Sequence, residues 1–133
     1  MSERIRKPAA DTKIMLVDDG KAIRNAGVNF LTEYGYQVFP IVDGYEALTA
    51  VVEIKPDLIL LDIQMPRLDG YNTCKMIRAN EKFKDTPIIM VSGNASPFDI
   101  AKGKMLGCED YIIKPFKKEI LVATIRKYLP LPE

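Results

Sequence analysis

Four residues of this chain have the chemistry to hold a divalent cation beside a reactive carboxylate. They are Asp18, Asp19, Asp62 and Lys114. Each stands at or just after the end of a short, continuous run of apolar residues. Three carboxylates brought together would repel one another, and a hard cation such as Mg²⁺ and a nearby ammonium group would relieve that repulsion. The pattern therefore predicts an oxygen-ligand Mg²⁺ site next to a reactive aspartate.

The apolar runs are typical of strands buried on both faces, and they alternate with segments of helical spacing. Strands are predicted at 12–18, 36–42, 57–62, 87–92 and 110–113. Helices are predicted at 20–34, 44–54, 70–79, 97–106 and 117–128. Regular alternation indicates a parallel α/β sheet with helices on both faces, which binds ligands at the carboxyl ends of its strands. We expect one domain over 12–128, a flexible N-terminal tail over 1–11 and a C-terminal tail over 129–133.

One proline helps to order the strands. Pro40 interrupts the second apolar run, and proline is confined to edge strands or bulges because it cannot donate to a sheet. A second strand at the edge fits the doubly wound order 2-1-3-4-5. That order makes strands 1 and 3 neighbours, so Asp18 and Asp19 would lie beside Asp62 at the switch point.

Composition excludes several function classes. The 133 residues carry a net charge of +1, which gives no electrostatic argument for nucleic acid or a membrane surface. Histidine is absent, which removes Ser-His and Cys-His catalysis and most zinc sites. Cys74 and Cys108 lack CxxC spacing, so we expect reduced thiols. We find no membrane-spanning run and no signal peptide, and we expect a cytoplasmic location.

Four sequence blocks resemble the signatures of response-regulator receiver domains, the CheY-like family. They are 17–19, 61–70, 91–93 and 114–116, which read VDD, LDIQMPRLDG, VSG and KPF. The resemblance covers roughly residues 12–128 and implies a flavodoxin-like (βα)₅ fold and a role in a two-component phosphorelay. Segments 65–71 and 98–104 are similar to single-domain receivers of chemotaxis and twitching motility.

The resemblance implies a role for each acidic residue. Asp62 would accept a phosphoryl group from a histidine kinase or phosphotransfer protein. Asp19 and Asp62 would bind Mg²⁺ directly, with Mn²⁺ able to replace it, while Asp18 would act largely through water. The main-chain carbonyl of Gln64 would add a further ligand. Such a protein catalyses only its own phosphorylation and autodephosphorylation.

The resemblance also implies a conformational switch that responds to phosphorylation. Lys114 would pair with Asp62 and later with a phosphoryl oxygen, and the Lys114–Pro115 bond would be cis. Ser92 would donate its hydroxyl to the phosphoryl group, and Tyr111 would swing inward in response. The readout surface would be 97–128, comprising helix 4, strand 5 and helix 5, where a downstream target protein binds. The protein would be a monomer or a phosphorylation-dependent dimer.

Simpler interpretations of the same residues stay open at this point. Asp18 and Asp19 could cap the first helix, since aspartate is a preferred N-cap. Ser92 could be an ordinary turn residue, and Tyr111 could serve only in half-buried packing.

Gly20 departs from the polar or acidic residue that relatives commonly carry after the acidic pair. Gln64 and Asn94 occupy positions that tune the lifetime of the acyl phosphate in the family.

Rival functions are also open. A Mg²⁺ phosphohydrolase with an aspartate nucleophile usually needs a second acid two residues further on, where this chain has Gln64. A flavin or nucleotide carrier would need a phosphate-binding glycine motif after strand 1, and none is present. A docking module without phosphotransfer would be expected to lack a site residue. A receiver fragment of a larger regulator is the remaining alternative.

Overall fold

The structure, a computed structural model, describes residues 9–93 and 96–129. Five strands are β1 (Lys13–Val17), β2 (Gln37–Ile41), β3 (Leu58–Asp62), β4 (Ile88–Ser92) and β5 (Asp110–Ile113). Five α-helices are α1 (Lys21–Glu33), α2 (Gly44–Ile54), α3 (Gly70–Arg78), α4 (Pro97–Met105) and α5 (Lys118–Arg126). Single 3₁₀ turns cover Ala9–Asp11 and Glu81–Phe83. The predicted boundaries agree with these within two residues.

The predicted tails fall mostly beyond what the structure describes. Residues 1–8 and 130–133 lie outside the described residues. Within the predicted N-terminal tail, Ala9–Asp11 form the first 3₁₀ turn. Within the predicted C-terminal tail, Leu129 is buried against the core on the α5 side.

The strands form one parallel sheet in the predicted order β2-β1-β3-β4-β5. Pro40 therefore lies on an edge strand, as its missing N–H requires. Val17 of β1 lies opposite Leu61 of β3, and Asp62 lies opposite Val91 of β4. This register brings the residues that follow β1 and those that end β3 and β4 to one edge of the sheet.

Two apolar layers cover the sheet, one on each face. The first packs α2 and α3 against alternate residues of the central strands, among them Met15, Ile59 and Met90. The second packs α1 and α5 against the intervening residues, among them Leu16 and Leu60. All five residues of β3 and of β4 are buried. A strand that is buried on both faces shows the continuous apolar run from which it was predicted.

Local signals mark where the helices end and begin. Gly35 and Gly107 have positive φ angles of 90° and 101° in the turns after α1 and α4, a region that glycine enters without steric cost. Asp43 caps α2 by accepting a hydrogen bond from the backbone N–H of Glu46 at 2.7 Å. In the described part of the chain, no helix has the length and apolarity to cross a bilayer.

Candidate functional site

The three predicted aspartates meet at the carboxyl end of the sheet. Each of Asp18, Asp19 and Asp62 offers a carboxylate oxygen within 4.8 Å of the other two. Asp18 and Asp62 are buried, with 1% and 2% of their surface exposed, while Asp19 is exposed. The cluster forms because β1 and β3 are neighbours and end at the same level. Two desolvated carboxylates and one solvent-facing carboxylate thus share one site.

Lys114 provides the cation of this cluster. Its Nζ lies 2.8 Å from Oδ2 of Asp18 and 3.1 Å from Oδ1 of Asp62. The resemblance implied the pairing with Asp62, and the structure adds a shorter contact with Asp18. The backbone N–H of Lys114 donates to the carbonyl oxygen of Ser92 at 2.8 Å, which ties the residue to the end of β4. The Lys114–Pro115 bond is cis, as the resemblance implied.

Burial and charge shift the titration of two groups in the site. Burial, and then the neighbouring charge of Asp18, raise the pKa of Asp62 to about 6, although Lys114 acts in the opposite direction. Burial by itself would lower the pKa of Lys114, but hydrogen bonds to Asp18 and Asp62 outweigh it, and the net pKa is raised. Lys114 is therefore an ammonium at neutral pH. One ammonium among three carboxylates leaves an excess of negative charge, which fits a divalent cation.

The simpler interpretation of the acidic pair as a helix cap is not what the structure shows. Gly20 is the N-cap residue of α1, and no side chain accepts a hydrogen bond there. Asp18 instead accepts the backbone N–H of Gly20 at 2.8 Å, which stabilises the turn before the helix. Its carbonyl oxygen accepts a hydrogen bond from the Arg24 guanidinium at 2.8 Å. These contacts fix the direction of Asp18 towards the cluster.

The loop after β3 is held close to Asp62. The backbone N–H of Gln64 donates to Oδ1 of Asp62 at 3.3 Å, and the N–H of Gly70 donates to the carbonyl oxygen of Ile63 at 2.8 Å. Gly70 has no room for a side chain, since a Cβ would collide with the carbonyl oxygen of Asp62. Asp69 caps α3 by accepting the N–H of Asn72 at 2.8 Å. The start of α3 therefore packs directly against the end of β3.

Ser92 and Tyr111 lie together beside this loop. Ser92 is the last residue of β4 and is buried, and both side chains line a cleft of about 260 Å³ that Gln64 also borders. Burial raises the pKa of Tyr111, and a side-chain hydrogen bond with Ser92 partly offsets this rise. The structure places Tyr111 next to Ser92, and its inward swing stays a prediction. Asn94, which was predicted to tune the acyl phosphate, lies outside the described residues.

Three residues of the same cleft were not predicted from the sequence. Tyr71, Asp99 and Lys102 line it from α3 and α4. Tyr71 donates a hydrogen bond to the backbone carbonyl of Asp99 at 3.2 Å, and Lys102 Nζ lies 4.5 Å from the centre of its ring. Nothing local in the sequence signals these contacts, because the residues are about 30 positions apart.

Comparison with known proteins agrees with this geometry. The family model of the response regulator receiver domain matches residues 14–126. Protein PilG of Pseudomonas aeruginosa is 43% identical over 118 residues, which are 89% of this chain and 87% of PilG. The chemotaxis protein CheY4 of Vibrio cholerae superposes with a TM-score of 0.86 at 34% identity, over 89% of this chain and 98% of CheY4.

A further solved structure bears on the acidic cluster. The receiver domain of the sensor histidine kinase PA1611 from Pseudomonas aeruginosa superposes with a TM-score of 0.82 at 32% identity, over 88% of this chain and 96% of that domain. That domain holds a magnesium ion coordinated in its active-site cleft. This chain also spans about half the length of known DNA-binding response regulators that it matches at 38% identity. The strand order, the match over nearly all of the described residues and the identity with PilG show that this chain belongs to the response regulator receiver domain family.

Proposed function

We propose that this protein is switched by phosphorylation of Asp62. The observation that carries the proposal is the placement of a buried carboxylate at the end of β3, in contact with Lys114 and within 4.8 Å of two further carboxylates. With a pKa of about 6, Asp62 is mostly ionised at pH 7 and able to act as a nucleophile. A partner histidine kinase or phosphotransfer protein would present a phosphohistidine. The Asp62 oxygen would attack phosphorus, and the P–N bond would break as the imidazole leaves.

The acidic cluster fits Mg²⁺, with Mn²⁺ as an alternative. Asp19, Asp62 and the main-chain carbonyl of Gln64 would bind the ion directly, and Asp18 would act largely through water. Few protein oxygens around a hydrated ion suit Mg²⁺, which keeps several of its waters. When bound, Mg²⁺ would neutralise the carboxylates and the transferring phosphoryl oxygens. The exposure of Asp19 leaves the cluster open to solvent on one side.

The remaining site residues would respond to the added charge. Lys114, already 3.1 Å from Asp62, would donate to a phosphoryl oxygen as a compact cation. Ser92 would donate its hydroxyl to the phosphoryl group and leave its present hydrogen bond with Tyr111. Tyr111 would then repack. These roles follow from the resemblance. The contact of Lys114 with Asp62 and the hydrogen bond of Ser92 with Tyr111 support them.

The signal would leave through the surface of α4, β5 and α5, roughly 97–128, to a downstream target protein. Four large apolar side chains are exposed on these elements: Phe98, Met105, Ile113 and Ile120. Their exposure leaves apolar surface on each of these three elements for a partner protein to cover. We place this signalling in the cytoplasm and in motility of the chemotaxis or twitching type, since the relatives include CheY4 and PilG. The protein would act as a monomer or as a phosphorylation-dependent dimer.

Intact mass after incubation with acetyl phosphate and Mg²⁺ tests the proposal directly. We expect one phosphoryl adduct on the wild type, none in EDTA and none on Asp62→Asn. Asp85→Asn is the matched control, because Asp85 is an exposed aspartate outside the cluster. That variant should gain the adduct as the wild type does.

Two outcomes would contradict the proposal. An adduct that persists in Asp62→Asn would place the phosphoacceptor elsewhere. The absence of an adduct on the wild type, with Mg²⁺ binding shown separately, would favour a docking module that does not use phosphotransfer. A receiver that forms part of a longer regulator would give the expected result, so the assay tests the domain and not the length of the protein.

A further inference from the structure

Helix α4 carries exposed apolar side chains but is itself weakly buried. Among its residues only Gly103 is buried, whereas α3, which has the same length, buries five residues. Phe98 and Met105 expose 74% and 86% of their surface. A helix with so little buried apolar surface gains little from packing, so individual contacts decide where it lies.

Tyr71 makes several of those contacts from the first turn of α3. Its hydroxyl donates to the backbone carbonyl of Asp99 at 3.2 Å and lies 3.5 Å from the Asp99 carboxylate. The Lys102 ammonium lies 4.5 Å from the centre of the Tyr71 ring, within the range of a cation–π interaction. A side chain at Gly103 would lie 3.9 Å from the same ring. Positions 99, 102 and 103 form one face of α4, so that face rests on Tyr71.

The position of Tyr71 is in turn tied to Asp62. Gly70, the residue before it, fits against the carbonyl of Asp62 with no space for a Cβ, and its N–H bonds to Ile63. Tyr71 and Tyr111 line the same cleft, which Ser92 also borders. Burial raises the pKa of Tyr71 to about 12, so its hydroxyl keeps its proton and stays a donor across the working pH range. Tyr71 therefore connects the loop that follows the phosphoacceptor to the helix that carries the exposed apolar side chains.

We propose that Tyr71 acts as a clasp that holds α4 in its unphosphorylated arrangement and sets how readily phosphorylation of Asp62 displaces it. This inference rests on the proposed function. In this proposal the hydroxyl bond to Asp99 belongs to the resting arrangement alone, so its removal favours the other arrangement. By linkage, a phosphoryl analogue then binds more tightly. One neutral hydrogen bond corresponds to about a two- to tenfold change in that equilibrium.

Tyr71→Phe tests the clasp, because it removes the hydroxyl and keeps the ring. We expect amide hydrogen exchange over 97–105 to become about two- to tenfold faster, while exchange over 44–54 in α2 stays unchanged. We expect the affinity for beryllofluoride with Mg²⁺, a phosphoryl analogue, to rise by a similar factor. Lys102→Gln, a change at an exposed position that removes the charge over the ring, should act in the same direction with a smaller effect.

Tyr36→Phe is the matched control. Tyr36 is a buried tyrosine in the apolar layer of α1 and α5, and its hydroxyl makes a side-chain hydrogen bond with Arg126. Burial raises the pKa of Tyr36, as it does for Tyr71. This variant deletes a tyrosine hydroxyl that lies outside 97–128, so exchange over 97–105 and beryllofluoride affinity should match the wild type.

Unchanged exchange over 97–105 in Tyr71→Phe would overturn the clasp. Faster exchange with unchanged or weaker beryllofluoride affinity would overturn its coupling to Asp62 and leave Tyr71 a purely structural anchor. The exchange measurement needs no phosphorylation. If the wild type bound no beryllofluoride and accepted no phosphoryl group, the proposed function would be wrong. The exchange result would still decide whether Tyr71 holds α4.

Discussion

At the scale of single residues, the main feature of the site is that its three carboxylates carry more negative charge than Lys114 neutralises. Lys114 contacts Asp18 and Asp62, and the pKa of Asp62 is nevertheless raised to about 6, chiefly by burial and then by Asp18. An aspartate titrates near 3.8 when it is solvated. The folded protein therefore binds a proton at Asp62 more tightly than the unfolded chain does. The ionised carboxylate lowers stability, and this cost is the physical reason that a cation is favoured here.

Asp62→Asn should stabilise the metal-free protein at neutral pH. Between about pH 4 and pH 6 the folded state holds a proton that the unfolded state has released, so the free energy of unfolding of the wild type falls as the pH rises. Asparagine does not titrate, and Lys114 keeps its contact with Asp18. We expect a gain of about 1–3 kcal/mol at pH 7 in EDTA, which shrinks towards zero at pH 4.

Urea unfolding at the two pH values measures this gain, with Asp85→Asn as the control for an exposed carboxylate. The control should change the free energy of unfolding by less than about 0.5 kcal/mol at either pH. A loss of stability in Asp62→Asn at pH 7 would show that the ionised carboxylate is well compensated by Lys114.

At the scale of secondary structure elements, close contact between β3 and α3 fixes the loop around the site. A Cβ at Gly70 would collide with the Asp62 carbonyl and would lie 2.7 Å from Cα of Ile63. Both obstacles are backbone atoms, which cannot rotate away. In contrast, a Cβ at Gly93 would meet nothing within 4 Å. The same substitution at these two glycines therefore separates the steric effect from the loss of glycine flexibility.

Gly70→Ala should destabilise the protein by about 2 kcal/mol or more, because the start of α3 must move away from β3. It should also reduce the acetyl-phosphate adduct, since Gln64 and Asp62 would lose their present alignment. Gly93→Ala should leave stability within about 1 kcal/mol of the wild type. Chemical denaturation and intact mass measure both effects. Equal destabilisation in the two variants would refute the close-contact argument.

At the scale of the whole molecule, the doubly wound sheet lets distant segments build one site. Its two apolar layers bury every residue of β3 and β4, including Asp62 and Ser92 at their carboxyl ends. Residues from four different strands or their ends thus reach one another: Asp18, Asp62, Ser92 and Lys114. An ion bound by this assembly binds the folded chain and not the unfolded one, so the ion should stabilise the whole domain.

Mg²⁺ should therefore raise the free energy of unfolding of the wild type, by about 2.7 kcal/mol at a concentration 100 times its dissociation constant. Asp19→Asn should lose most of this gain. Asp19 is exposed, so its replacement should change the stability measured in EDTA very little. Thermal unfolding at several Mg²⁺ concentrations measures the effect. An equal gain in the variant and the wild type would place the ion elsewhere.

The amino-acid sequence by itself determined the element order, the edge position of Pro40 and the placement of the aspartates at the strand ends. These follow from local signals, since apolar runs, caps and turn residues act within a few positions. Tertiary structure alone decided that Lys114 lies closer to Asp18 than to Asp62, and that Tyr71 supports α4 through Asp99. Such contacts join residues tens of positions apart. They depend on how strands and helices pack in space, which no local pattern encodes.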